Sequence, residues 1–142
     1  MESCGLPEFE AEVFPLIKKV LYLQYTNPGA YPPLEHSSRI LAEAGWEVIF
    51  LGTRARGAGN LDFPQHPRIR VIRWPFVEGG LLQKGHYLAF GIWCLLFVLI
   101  WRPDWVYASD PMICPALWLI GKSTSARMVY HEHDSPPERR TQ

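Results

Sequence analysis

Neither a surplus of one charge nor a cysteine framework marks this chain. Fourteen Lys and Arg side chains balance fourteen Asp and Glu, so no global field draws in nucleic acid or a strongly acidic partner. The three cysteines, Cys4, Cys94 and Cys114, lie far apart and make no CxxC or Cys/His ligand spacing. A disulfide scaffold and a zinc site are therefore unsupported, and reduced thiols in a cytoplasmic setting are the plain expectation. A secretory leader needs a basic start and then an apolar run. Residues 1–15 instead hold four glutamates and no Lys or Arg, which predicts no export. The sequence also lacks a GxGxxG fingerprint, a P-loop lysine motif, an internal repeat and a low-complexity tract. What it has is apolar substance: 48% hydrophobic against 20% charged over 142 residues, too apolar for disorder and long enough to bury one core.

After an acidic arm over residues 1–17, a domain is expected from residue 18 to 142. The run Val20–Tyr25 is β-branched and aromatic and is stopped by Thr26-Asn27-Pro28-Gly29, the pattern of a buried strand ended by a turn. From Leu34 to Ala44 a helix is expected, with Ser37, Ile40, Leu41 and Ala44 on its inner face and Gly45 at its C-terminal cap. Trp46–Gly52 reads as the next strand, which completes a βαβ unit and so a parallel sheet with a right-handed crossover. Residues 53–67 are rich in Gly, Arg, Pro and Asn and read as a loop. Arg68–Trp74 alternates charged and apolar residues, as a strand with one wet face near a sheet edge does. Further strands are expected at Trp105–Ala108 and Arg127–Tyr130, around a short apolar helix from Met112 to Ile120 closed by Gly121. This alternation predicts an α/β fold: a doubly wound, mostly parallel sheet.

The stretch Tyr87–Trp101 is an uncharged run of fifteen residues between Lys84 and Arg102, short of the roughly twenty that a membrane span requires. Three readings are open: a core helix, a helix in the membrane interface, and a true span. Trp93, Trp101 and the flanking cations suit an interface. A helix feeding directly into a strand must nevertheless pack on that sheet. The favoured expectation is a packed helix whose outer face touches a membrane through residues 87–101.

Ligands of doubly wound sheets bind at the carboxyl ends of the strands, which selects three segments: Thr26 to Tyr31, Ser109 to Met112 and His131 to Ser135. In Asn27-Pro28-Gly29-Ala30-Tyr31, the glycine allows close backbone approach and the following helix offers N–H groups to an anion; an ordinary βα turn has the same sequence. Asp110-Pro111 suits a helix cap more than a ligand contact. His131-Glu132-His133-Asp134 puts two histidines on one strand face, but no third cluster accompanies them, so hydrogen bonding to a sugar is a better reading than metal ligation.

Three of these stretches, in order, resemble group 1 (family 4) glycosyltransferases. Arg39-Ile40-Leu41-Ala42-Glu43-Ala44-Gly45-Trp46-Glu47-Val48 is similar to their helix-to-strand signature near the N-terminus. The segment from Arg102 to Pro111 (RPDWVYASDP) resembles a second signature, and Val129-Tyr130-His131-Glu132-His133-Asp134 the strand and histidine loop that follow. The likeness spans roughly residues 18–137. It implies the Rossmann-like N-terminal half of a GT-B fold, with the C-terminal half absent from the sequence. The function implied is retaining transfer of a sugar from a nucleotide sugar to an acceptor, lipid-linked if the apolar helix meets a membrane. Metal and cofactor are not implied; the nucleotide sugar is a substrate, gripped mainly by the other domain, and the setting is the cytoplasm or the cytoplasmic face of a membrane.

Carried over by position, His133 matches the histidine that approaches the transferred sugar and is the catalytic candidate. Gly29 matches the glycine loop that closes on the donor, and His131 is a second, weaker histidine candidate. Asn27, Ala30, Tyr31, Asp110 and Asp134 complete the donor- or acceptor-binding set. Stabilisation of the departing diphosphate would dominate such a reaction. The departures are Ala30 where a second glycine is common, Trp46 where a histidine is usual, and no basic pair or E-x7-E-like acidic motif. The chain alone is thus expected to lack turnover. The alternative is a non-catalytic membrane-docking or acceptor-binding subunit of a split transferase. A dinucleotide-binding protein is disfavoured, because Leu51-Gly52-Thr53 ends the second strand without a carboxylate.

Overall fold

Buried apolar runs separated by turn residues become five parallel strands in a computed structural model that describes residues 16–132. His133, Asp134, Cys4 and nearly all of the 1–17 arm lie outside the described residues. The strands are β1 (Lys19–Leu23), β2 (Glu47–Thr53), β3 (Ile69–Trp74), β4 (Trp105–Ala108) and β5 (Arg127–Tyr130). Three helices connect them: α1 (Pro32–Glu43), α2 (Leu81–Trp101) and α3 (Cys114–Ser123). The sheet order is β3-β2-β1-β4-β5, so strand order reverses between β1 and β4. This is a Rossmann-like α/β fold, and β3 is an edge strand as its alternating charge implies.

The strand pleat divides the core in two. Val20 and Tyr22 of β1 and Val48 and Phe50 of β2 face α1. Leu21, Leu23, Ile49, Leu51, Val106 and Ala108 face the opposite layer, where α2 and α3 both pack. No helix covers β4 on the α1 side among the described residues, which leaves Trp105 and Tyr107 only half-buried.

Helix α1 ends as the sequence predicts. Gly45 adopts φ +92°, its N–H reaches the Ala42 carbonyl and the Trp46 N–H reaches that of Leu41, a Schellman closure that a β-carbon would strain. Its fully buried residues are Leu34, Ser38 and Ala42, flanked by half-buried Ser37 and Leu41 from the set read from the sequence, whereas Ile40 is 53% exposed and Ala44 faces solvent. The correction has a steric cause. Tyr22 and Phe50 stack at 4.5 Å on the sheet beneath, and small Ser38 and Ala42 let the helix settle onto those rings.

Helix α2 starts at Leu81, well before the apolar run, and ends where Arg102 takes φ 52° and donates its N–H to the Val98 carbonyl. Pro103 then prevents another turn. Phe90, Cys94 and Val98 are sealed against the sheet, each burial contributing roughly 1.5–3 kcal/mol for a large side chain. At 21 residues the helix is long and apolar enough to cross a membrane by length and composition, yet one whole face of it belongs to the core. Helix α3 continues through Gly121 to Ser123 rather than ending there, since Gly121 does not take the positive φ of a helix-closing glycine.

Candidate functional site

At the reversal between β1 and β4 the connecting chains leave in opposite directions, which opens the strand ends to ligands in folds of this kind. Two side chains bridge the split. Gln24, just past β1, donates from Nε2 to the Ser109 hydroxyl at 2.8 Å. Asp110 accepts the Tyr25 N–H on one oxygen and the Met112 N–H on the other, both at 2.9 Å. Asp110 therefore caps the turn before α3 and ties β4 to β1, as the capping reading expects; both of its carboxylate oxygens are engaged within the fold.

On the α1 side of the same edge, the Tyr107 hydroxyl and His131 Nδ1 are hydrogen-bonded at 2.9 Å, their rings edge-on at 6.4 Å. Main-chain pairing of the His131 N–H with the Ala108 carbonyl holds the histidine over β4. Burial pushes the Tyr107 phenol above its ordinary range, so it stays a neutral donor and acceptor at physiological pH. Gln24 is 1% exposed and its Oε1 accepts no hydrogen bond. Thr26 Oγ1, two residues on, is likewise enclosed and unpartnered. A buried amide oxygen without a donor costs stability; His86 Nε2, on α2, is a third enclosed atom without a partner among the described residues. The edge thus carries the Tyr107 and Ser109 hydroxyls and the His131 ring beside the internally engaged Asp110 carboxylate, groups able to donate and accept hydrogen bonds.

The Asn27–Tyr31 turn is engaged within the fold, as an ordinary βα turn would be. Asn27 is 3% exposed and clamps the loop that follows β2: Nδ2 donates to the carbonyls of Gly59 at 3.0 Å and Leu61 at 2.9 Å. Its Oδ1 accepts from Gly29 N–H and from Arg73. Arg73 also binds the Leu61 carbonyl and the Asp62 carboxylate. A β-carbon on Gly29 would sit 2.5 Å from the Leu61 carbonyl oxygen, so this glycine serves loop-on-loop packing. The expected N–H groups for an anion are spent. Ala30 and Tyr31 donate to Asn27 and Pro28 carbonyls, Leu34 and Glu35 both donate to the Tyr31 carbonyl, and Pro32 and Pro33 have no N–H to offer.

Of the residues singled out from sequence, Asp110 and His131 thus stand at the split edge with Tyr25 and Tyr107. Asn27, Gly29, Ala30 and Tyr31 form a neighbouring turn closed by residues 57–62. Gln24 and Tyr107 were missed, and Ser109 was included only as the start of a strand-end segment. A polar residue closing an apolar strand (Gln24 after Leu23, Ser109 after Ala108) is the signal that could have found them. His86 was also missed. Its Nδ1 pairs with the Tyr25 hydroxyl at 2.8 Å beside a cleft of about 280 Å³ lined by Thr53, Phe76, Gln83 and Met112. It sits in the part of α2 that precedes the apolar run. A larger concavity, about 780 Å³, lies at the opposite edge among Lys18, Arg102, Asp104 and Arg127. It is bounded by strand N-termini and the C-terminal ends of α2 and α3, where this architecture supplies no convergent strand ends. Among the described residues no three His, Cys, Asp or Glu side chains gather to hold a metal ion.

No family profile matches the chain, and no curated protein matches its sequence. Its fold is similar to that of the epimerase Mth375 from the thermophilic, pseudomurein-containing methanogen Methanothermobacter thermautotrophicus, with a TM-score of 0.50. The two share 19% identity over 86% of this chain, which spans only 39% of the length of that protein. At that identity the likeness concerns architecture alone: a Rossmann-like sheet with flanking helices.

Proposed function

We propose that this chain is the acceptor-side, N-terminal half of a retaining glycosyltransferase of the GT-B type, working in the cytoplasm or at the cytoplasmic face of a membrane. The observation that carries the reading is the hydrogen-bonding edge at the β1/β4 split, where Gln24 and Ser109 bridge the strands and Tyr107 pairs with His131. In this reading His131, Tyr107 and Ser109 hold acceptor hydroxyls, with Gln24 as the positioning residue behind Ser109. His133, next along the chain, approaches the transferred sugar; it and Asp134 fall outside the described residues. Asn27 and Gly29 shape the turn rather than touch ligand, and the nucleotide sugar depends on a domain that these 142 residues do not contain. A non-catalytic docking subunit of a split transferase is the second reading, favoured by the uncovered outer face of α2.

The turn after β1 also supports this reading over a dinucleotide site, since its amides are engaged and α1 opens on two prolines. Titration calorimetry of the purified chain with NAD(H), UDP-sugars and GDP-sugars separates the possibilities. The expected result is no binding tighter than about 1 mM for any of them. Firm NAD(H) binding would make this a dinucleotide-binding protein. Firm nucleotide-sugar binding or turnover by the chain alone would remove the two-domain reading.

A further inference from the structure

The outer surface of the α2–α3 layer is apolar where a water-facing layer should be polar. Phe90, Cys94 and Val98 point α2 at the sheet, which puts Leu88, Ile92 and Leu96 on its far side, 64%, 52% and 51% exposed. Ile100 ends that side at 83%. On α3, Ala116 and Ile120 face the sheet, and Trp118 and Leu119 project outward at 64% and 47%. The two helices touch where Gly91 meets Ala116, so their outer faces form one surface. Isolated exposed leucines are ordinary; a continuous face of them marks a contact surface.

Charge on this layer is one-sided although the whole chain is neutral. No Asp or Glu occurs from residue 79 to 103 or from 111 to 131, whereas Lys84, Arg102, Lys122 and Arg127 do. Lys84 lies one turn before Leu88 and Lys122 one turn after Trp118, so each apolar row ends in a cation at an opposite edge of the layer. Long basic side chains at the margins of an apolar face can reach outward to anionic headgroups while their stems stay in the apolar zone.

We propose that the α2–α3 face docks flat on an anionic lipid surface, both helices lying along the bilayer. Self-association is the poorer fit, because a two-fold contact through this face would oppose cations with no carboxylate to answer them. In the docked pose the sheet lies parallel to the membrane and the β1/β4 edge opens sideways along it, within reach of a headgroup-level acceptor. The docking itself does not depend on the sugar-transfer reading.

Vesicle co-sedimentation tests it, with phosphatidylcholine alone and phosphatidylcholine mixed with phosphatidylglycerol. The expected result is at least tenfold stronger partitioning onto the anionic vesicles, weakened by salt. A Leu96→Glu, Ile100→Glu double variant and a Lys84→Glu, Lys122→Glu double variant should each lose at least tenfold while keeping the wild-type melting transition, since all four side chains are exposed. Equal partitioning onto both vesicle types, or wild-type binding by the two variants, would overturn the proposal. So would a failure to bind accompanied by concentration-dependent dimerisation, which would assign the face to a protein partner.

Discussion

Replacing Phe90 with alanine should cost about 3–5 kcal/mol of folding stability, the range for emptying a large aromatic site in a packed core. Phe90 has no exposed surface and stands among Tyr25, Trp74 and Trp93 with ring centroids 5.3–5.6 Å away. Those rings come from the turn after β1, from the end of β3 and from α2 itself, so they cannot all move inward to fill the gap. Against a typical total of about 5–15 kcal/mol, such a loss should lower the melting temperature by roughly 10–20 °C. Leu96→Ala on the outer face of the same helix should change stability by less than about 0.5 kcal/mol. The contrast distinguishes a helix sealed to the sheet by one face from one that is solvated, or embedded, all round. A Phe90→Ala protein that melts like the wild type would mean that α2 does not close this core.

Asn27→Ala is the second large effect, and it separates two roles for one residue. The side chain makes two donor bonds to the 57–62 loop and receives two more from Gly29 and Arg73. Its loss strands the Gly59 carbonyl and frees the loop from the β1–α1 turn, at a cost of about 2–3 kcal/mol. Thermal melting should report that loss, and limited proteolysis should find new cleavage between residues 54 and 64. If Asn27 were instead a ligand-contacting group, the variant would melt like the wild type and lose affinity only.

Most of the architecture was legible in the residues because strand and helix periods are local. Val20–Tyr25, Trp46–Gly52 and Trp105–Ala108 announce buried parallel strands by composition, and Gly45 announces a helix end by conformation. The inner face of α1 was legible only in part, through Ser37 and Leu41. It depends on which side chains fit over Tyr22 and Phe50 from other elements, and Ile40 lost to Ala42 on shape rather than hydrophobicity. The start of α2 was hidden because Lys84, Gly85 and His86 break the apolar pattern without breaking the helix.

Less of the site could be read. Asp110 was recognisable as a cap, since Asp-Pro after a strand has a local meaning. The loop clamp made by Asn27 and Gly29 could not be read locally, because its other half, Gly59 and Leu61, lies some thirty positions away. The Gln24–Ser109 bridge joins residues 85 positions apart, and only the strand order reveals it. The Tyr107–His131 pair arises in the same way, from the parallel register of β4 with β5.

The central claim is that the β1/β4 edge receives sugar hydroxyls, and backbone-amide NMR of the isotope-labelled chain tests it most directly. Titration with free hexoses, N-acetylhexosamines and soluble lipid-linked sugar analogues should shift the signals of Tyr107, Ser109 and His131. The shifts should saturate in the millimolar range and vanish in a His131→Ala variant that keeps its fold. Unmoved signals at that edge with every sugar tested, or shifts confined to the Asn27–Leu34 turn on adding a dinucleotide, would contradict the account.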